Sequence, residues 1–245
     1  MNVTAISRRN NMKTLLLSVI LAIATFSFAG NINDSCKQFT VNGSPTYTVP
    51  AQELCKPNYA ILYQCSTKTP IAVFEHLTLA KISGPAKRKN NFHIDPEITE
   101  GCRSTLSDYA VGAATYDRGH MNPADDNTVN DGIMSDSFFL SNMVPQVSNN
   151  NRGIWRMLEI KVRKEVMQGG DYYVITGPIF NAGYKSLGNG VGIPTRLYKI
   201  IFESKTQKSE AYILPNTNLP VADLPKYQTT VEAVGQATGM KFGLK

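Results

Sequence analysis

Apolar residues recur along the chain with two different periods. YAILYQCS (59–66) and TPIAVFEHLTLAKI (69–82) are rich in aromatic and β-branched side chains, which predicts strands. AATYDRGH closes on a short strand ending at His120, and FFLSNMVPQV (138–147) is a second strand candidate interrupted by Pro145. From Asn151 the period changes. Apolar residues at 154, 155, 158, 162 and 166 fall close to helical spacing, and Gly169 and Gly170 end that helix. YYVITGPIF (172–180) returns to a strand pattern, with Gly177–Pro178 a candidate turn. TRLYKIIFES and SEAYILPNT predict two more strands joined by the turn KTQK. The expected class is α+β: a sheet core with one conspicuous helix after the DRGH loop. Residues 30–58 are rich in Asn, Pro and Thr and are expected to be an irregular lead-in, and SGPAKRKNN reads as a basic loop.

The first 29 residues change the picture of length. Arg8, Arg9 and Lys13 precede the uncharged run LLLSVILAIATFSFA, with small Ser27 and Ala29 at its end. This reads as a secretory signal cleaved after Ala29, since the run is short of the ~20 residues that span a bilayer. The rival is an uncleaved anchor. The expected product is an exported protein, secreted or periplasmic, with residues 30–245 as one domain and no stable membrane partner. The net charge of +6 falls to about +3 without the leader, which permits a polyanion partner without demanding one. Cys36, Cys55, Cys65 and Cys102 are even in number in a chain read as exported, so two disulfides are expected, in any of three connectivities. Zinc is the rival, but no C-x₂-C pair exists.

Chemistry concentrates in TYDRGHMNPADDN (115–127). The chain has three histidines, and His120 is fenced by Asp117, Arg118 and Gly119. An imidazole can move protons near neutral pH, an arginine fork can hold a phosphate, and a glycine lets the chain turn sharply. The alternative is a hydrogen-bonded turn without function. The acidic stretch ADDNTVNDG (124–132) fails the spacing of an EF-hand and is expected to be a solvated loop pointing away from any polyanion. In NNNRGIWRMLE (149–159) an asparagine before a helix is commonly a cap, yet its amide oxygen also suits magnesium. On an ideal helix Glu159 lies ~80° around and ~12 Å along from Asn151, so the pair would border one broad face without sharing an ion directly.

DRGH followed by N-P-A, then FLSNMVPQ, then N-x-G-x-W-x-x-L-E, resembles the DNA/RNA non-specific endonuclease family, over roughly residues 59–215. The resemblance implies an antiparallel sheet core with a ββα-metal finger active site. It implies His120 as the general base, Asn151 as the direct ligand of one Mg²⁺ (Mn²⁺ as a substitute), and Glu159 bound to the ion through water. Arg118 is implied near the phosphate, Asn142 as support for the site, and Asp117 as structural. An upstream arginine is matched only loosely: Arg88 is the choice, with Lys89 its competitor. His76 is read as structural and His93 as accessory.

The implied activity is hydrolysis of DNA and RNA to 5′-phosphate and 3′-hydroxyl ends. Nucleic acid would be the substrate, gripped through its backbone. Two rivals stand beside it: an inert secreted polyanion-binding module and a metal-dependent phosphatase. Joint use of His120, Asn151 and Glu159 argues against the first. The shape of the site, groove or closed pocket, separates the second.

Overall fold

The computed structural model describes Met1, residues 34–41 and residues 45–244. The leader expected at 1–29 therefore lies, apart from Met1, outside the described residues. Among the described residues eleven strands are found: β1 (Gln52–Cys55), β2 (Ala60–Gln64), β3 (Thr69–Leu77), β4 (Tyr116–His120), β5 (Met143–Val147), β6 (Tyr172–Ile179), β7 (Ser186–Leu187), β8 (Val191–Gly192), β9 (Arg196–Glu203), β10 (Lys208–Pro215) and β11 (Gln228–Thr229). Seven of them form one antiparallel sheet in the order β1-β2-β3-β6-β9-β10-β11. β4 and β5 form a separate ribbon, as do β7 and β8.

The strand period of two explains the layering. Ile61, Val73, Val174, Ile201 and Tyr212 pack on one face of the sheet, against Trp155, Leu158, Val162 and Val166. Their neighbours Leu62, Phe74, Ile175, Ile200 and Ala211 pack on the other, against Phe39, Val231, Val234 and Phe242. Both faces are covered, so the central strands read as nearly continuous apolar runs. The five apolar positions of the predicted helix are all buried, and truncating Leu158 to alanine there would cost about 2–5 kcal/mol.

Several expectations are corrected. Residues 30–58 are not wholly irregular: they supply a 3₁₀ turn, Asp34–Phe39, and the edge strand β1. The segment 69–82 is not one strand, because it ends at Leu77 and a helical turn, Leu79–Ile82, follows. Gly177–Pro178 does not turn the chain; both stay paired with β9 inside β6. Gly177 is needed there for closeness, since a Cβ would stand 2.4 Å from the Ile71 carbonyl oxygen and 2.7 Å from the Tyr198 ring. The fourth concerns the acidic loop and is taken up with the site. The two expected disulfides are present as Cys36–Cys55 and Cys65–Cys102. They tie the amino-terminal turn to β1, and the β2–β3 turn to the loop that precedes the site.

Candidate active site

The β4–β5 ribbon carries the DRGH motif in the register Asp117↔Gln146, Arg118↔Pro145, Gly119↔Val144 and His120↔Met143. Gly119 is dictated by packing: a Cβ would lie 2.2 Å from Gln146 Oε1. The ribbon has no hydrogen-bonded ladder to the main sheet, and side-chain amides anchor it instead. Asn216 donates to the carbonyls of Pro145 (3.0 Å) and Pro194 (2.9 Å) and accepts from the Val147 amide (2.9 Å). Asn150 donates to Pro215 and Thr217 (3.0 and 2.9 Å) and accepts from Gln146 (2.9 Å).

The helix after β5 is not ideal. Ser148–Asn150 forms an α-turn, Asn151–Trp155 a π-turn, and Arg156–Met167 the regular helix, with Gly153 at φ −105°, ψ −106° breaking the ladder. The angular offset calculated for a straight helix therefore does not apply to Asn151 and Glu159. Both nonetheless line one compartment. Local π-geometry of this kind often marks functional positions. Asn151 Nδ2 donates to Asp117 Oδ2 at 2.9 Å. Asp117 also accepts from Ser148 Oγ (3.0 Å) and from both ends of the Arg152 fork (2.8 and 2.6 Å). Despite desolvation, these hydrogen bonds hold the Asp117 carboxyl below its ordinary range.

His120 sits at the end of β4, buried edge-on to Phe138 with ring centroids 4.9 Å apart and tilted against Phe92 at 5.5 Å. Its Nε2 is sealed without a hydrogen-bond partner. Desolvation first, then the charges of Arg88 and Arg118, push its pKa from 6.5 to about 3, so the ring is neutral at pH 7. The surrounding cleft has two adjoining compartments. One, of ≈ 420 Å³, is bounded by His120, Asn151, Glu159, Asp125 and Arg156. The other, of ≈ 450 Å³, is bounded by Arg118, Phe92, Tyr109, Tyr116 and Asp117. Arg88, Asn151 and Arg152 border both. Arg88 lies over the Phe138 ring, and Arg118 over that of Phe92. Lys89 instead pairs with Asp131 at 2.6 Å and lines neither compartment.

Asn142 is fully buried beneath the cleft. It grips the backbone of Asn122, accepting from its N–H and donating to its carbonyl, each at 2.8 Å, and donates to Ser137 O at 2.8 Å. It thus fixes the chain two residues past His120 without reaching the cleft wall. Asn122, the first residue of N-P-A, to which the sequence reading gives no role, continues this network: it donates to the buried carboxyl of Glu75 and accepts from Asn127. The acidic loop is the fourth correction. Asp126 is buried and paired with Arg163 at 2.9 Å, and Asp125 faces the cleft rather than away from it. A short 3₁₀ turn, Ala124–Asp126, sets those directions. His76 bonds Asp171 at 2.7 Å and stacks on Tyr173, while His93 bonds the Asn91 carbonyl at 2.6 Å, and neither lines the cleft.

The residues fit a hard divalent cation. Asp117 occupies the amide nitrogen of Asn151, which directs the amide oxygen away from that carboxylate. The Glu159 carboxyl lines the same compartment, half-buried, and desolvation raises its pKa to about 7 against the opposing pull of Lys199 and Arg163. Among the described residues no cluster of three or more His, Cys, Asp or Glu side chains could form an all-protein cage. One amide oxygen plus one nearby carboxylate suits an ion that keeps most of its water.

Comparison with known proteins agrees with this geometry. The family model for DNA/RNA non-specific endonuclease matches residues 37–245. Nuclease EXOG, mitochondrial, of Danio rerio is 32% identical over 203 residues, covering 76% of this chain and 59% of that protein. Nuclease C1 of Cunninghamella echinulata var. echinulata is 32% identical over 205 residues, covering 76% and 81%. The crystal structure of the EndoG/EndoGI complex superposes with a TM-score of 0.77 at 28% identity, covering 86% of this chain and 92% of that one. This chain spans less than three fifths of the length of the EXOG relatives. Export is corrected by these relatives, because EXOG and the nucleases of Schizosaccharomyces pombe and Saccharomyces cerevisiae are named mitochondrial. The leader misled because a basic start with no acidic residue before Asp34 is also the composition of an organelle-targeting segment. The chain belongs to the DNA/RNA non-specific endonuclease family.

Proposed function

We propose that the protein is a Mg²⁺-dependent endonuclease that hydrolyses phosphodiester bonds of DNA and RNA and leaves 5′-phosphate and 3′-hydroxyl ends. The observation that carries this reading is the convergence of His120, Asn151 and Glu159 on one compartment, with Arg88 shared between it and the compartment of Arg118. Asn151 would hold the ion directly and Glu159 through water. Mg²⁺, when bound, supplies positive charge against the phosphate oxygens and the departing 3′-oxygen. His120, neutral at working pH, accepts the proton of the attacking water. The guanidinium groups of Arg88 and Arg118 hold phosphate without reading bases, so sugar and sequence discrimination are weak. Asp117 and Asn142 position the others and touch no substrate.

An open two-compartment cleft lined by arginines supports a polymer substrate over a small phosphomonoester, which a closed pocket would suit better. The test is cleavage of plasmid DNA and of a long RNA with Mg²⁺, Mn²⁺ or chelator, alongside His120→Ala. Metal-dependent cutting of both polymers, lost in the variant, is the expected result. Turnover of a phosphomonoester alone would replace this reading with a phosphatase.

A further inference from the structure

A catalytic imidazole is commonly oriented by a hydrogen bond at its second ring nitrogen. His120 has no such bond at Nε2, which is sealed and without a partner among the described residues. Aromatic walls hold the ring instead. Phe138 stands edge-on at 4.9 Å and Phe92 is tilted at 5.5 Å, and the two phenylalanines meet edge to face at 4.9 Å. Neither wall belongs to a strand of the main sheet. Main-chain bonds stitch the two segments together: His93 N–H donates to the Phe138 carbonyl (3.3 Å) and Leu140 N–H to the His93 carbonyl (2.8 Å). Asp95, 1% exposed, ties this stitched pair toward the sheet. Its Oδ2 accepts from Ser141 Oγ at 2.6 Å, just past Phe138, and its Oδ1 accepts from the Glu97 N–H at 3.1 Å. Lys56, buried in the turn between β1 and β2, donates to Asp95 Oδ1 at 3.0 Å and stands 2.9 Å from Oδ2. The same ammonium lies 4.4 Å from the centre of the Phe139 ring. A buried ion pair is weak evidence for stability, because desolvation offsets its attraction and apolar residues of like volume often serve as well. Apolar residues cannot reproduce its direction. One carboxylate bonded from two other segments fixes the spacing of all three.

We propose that Asp95 is a positioning residue of the cleavage reaction: held by Lys56 and bonded to Ser141, it sets the gap between Phe92 and Phe138 in which the His120 ring stands. The inference rests on the nuclease reading above, which makes His120 the base. Lys56, Asp95 and Ser141 line neither compartment of the cleft, so their role is in rate and not in gripping substrate or metal. Proton transfer depends on distance and angle, and a displacement of ~1 Å can cost ~10²-fold. The buried pair thus acts on the reaction through two aromatic rings.

Two variants test this. Ser141→Ala removes one donor, and Lys56→Met with Asp95→Leu replaces the ion pair by apolar side chains. Both are expected to lower the single-turnover rate at saturating DNA and Mg²⁺ by about tenfold or more. DNA binding in Ca²⁺ buffer and the Mg²⁺ half-saturation stay at wild-type values, and the melting temperature of Ser141→Ala moves little. Val234→Ala, buried on the opposite face of the sheet, is the control: it lowers the melting temperature and keeps the rate. The ring signals of His120 in NMR, identified by their loss in His120→Ala, are expected to move in Ser141→Ala. Wild-type rates in both test variants overturn the proposal. So does a rate loss matched by Val234→Ala, or one that comes with weakened DNA binding or metal half-saturation, since each marks general damage. Failure of the wild-type protein to cut nucleic acid with metal present overturns the nuclease reading instead. The ring signals need no substrate, so unmoved signals in Ser141→Ala refute the clamp separately.

Discussion

Asp117 Oδ2 accepts the amide of Asn151 at 2.9 Å, and this bond decides which end of that amide faces the cleft. The same carboxylate is forked by Arg152 and bonded by Ser148. Asp117 thus aims the oxygen of Asn151. Asp117→Ala is expected to weaken apparent Mg²⁺ affinity about 10–100-fold, the usual scale for losing such support. Cleavage should largely recover at high Mg²⁺. An unchanged Mg²⁺ half-saturation in a titration of rate against metal would refute the role.

Asn151→Ala should not recover in that way. Losing the amide oxygen removes the proposed ligand itself, so the rate stays low at every Mg²⁺ concentration while the melting temperature moves little. Glu159→Ala should fall between the two. Full activity of Asn151→Ala at ordinary Mg²⁺ would dismiss it as the ligand.

His120→Ala should cleave at least ~10²-fold more slowly and still bind nucleic acid in Ca²⁺ buffer. Its pH behaviour follows from burial. The folded pKa of about 3 lies below the free value of 6.5, so only the unfolded chain takes up this proton between those limits. Stability contributed by the neutral ring is present above pH 6.5 and is lost as pH falls toward 3, by about 1.4 kcal/mol per unit at most. Glu159 and Glu75, with folded values raised to about 7 and about 8, act in the opposite sense, gaining stability as pH falls through those values toward 4.5. Those two are common to both proteins. His120→Gln should therefore lose less stability than wild type between pH 6.5 and 4, read from urea midpoints, and parallel curves would contradict the assignment.

Arg88→Ala should slow cleavage of DNA and RNA alike, whereas Lys89→Ala should change little, because Lys89 pairs with Asp131 away from the cleft. Matched kinetics on the two variants decide this. A larger loss in Lys89→Ala would reverse the choice.

Gly119→Ala should cost about 1–3 kcal/mol, since the new methyl meets the buried Gln146 side chain. Gly119→Ala with Gln146→Ala should recover part of that loss in thermal unfolding. No cost in the single variant would show that the strands of the ribbon can part freely.

The strands and the helix were readable because their periods are strong: five buried positions from Ile154 to Val166 fall on one stripe. β1 was hidden because four residues, QELC, carry too little pattern. Gly177–Pro178 looked like a turn because the dipeptide usually is one; only the approach of Ile71 and Tyr198 from neighbouring strands shows why it is not. His120, Asn151, Glu159 and Arg118 are singled out by motif order, and the fold brings all four to the walls of one cleft. Spacing could not find the Asn122–Glu75 bond, whose partners are 47 residues apart, nor the turning of Asp125 into the cleft. The kink at Gly153 was equally silent, since a glycine near a helix start has several ordinary uses.

The amides that moor the site ribbon also make it chemically separable from the sheet. Asn142, Asn150 and Asn216 each donate to two main-chain carbonyl oxygens, and asparagine is among the heat-labile side chains. Deamidation at any of them would set a carboxylate against two oxygens that need donors. The seven-stranded sheet contains none of these three residues. A lesion at any of these three amides should therefore loosen the ribbon while the ladders of the sheet stay intact, leaving a folded protein with a displaced site.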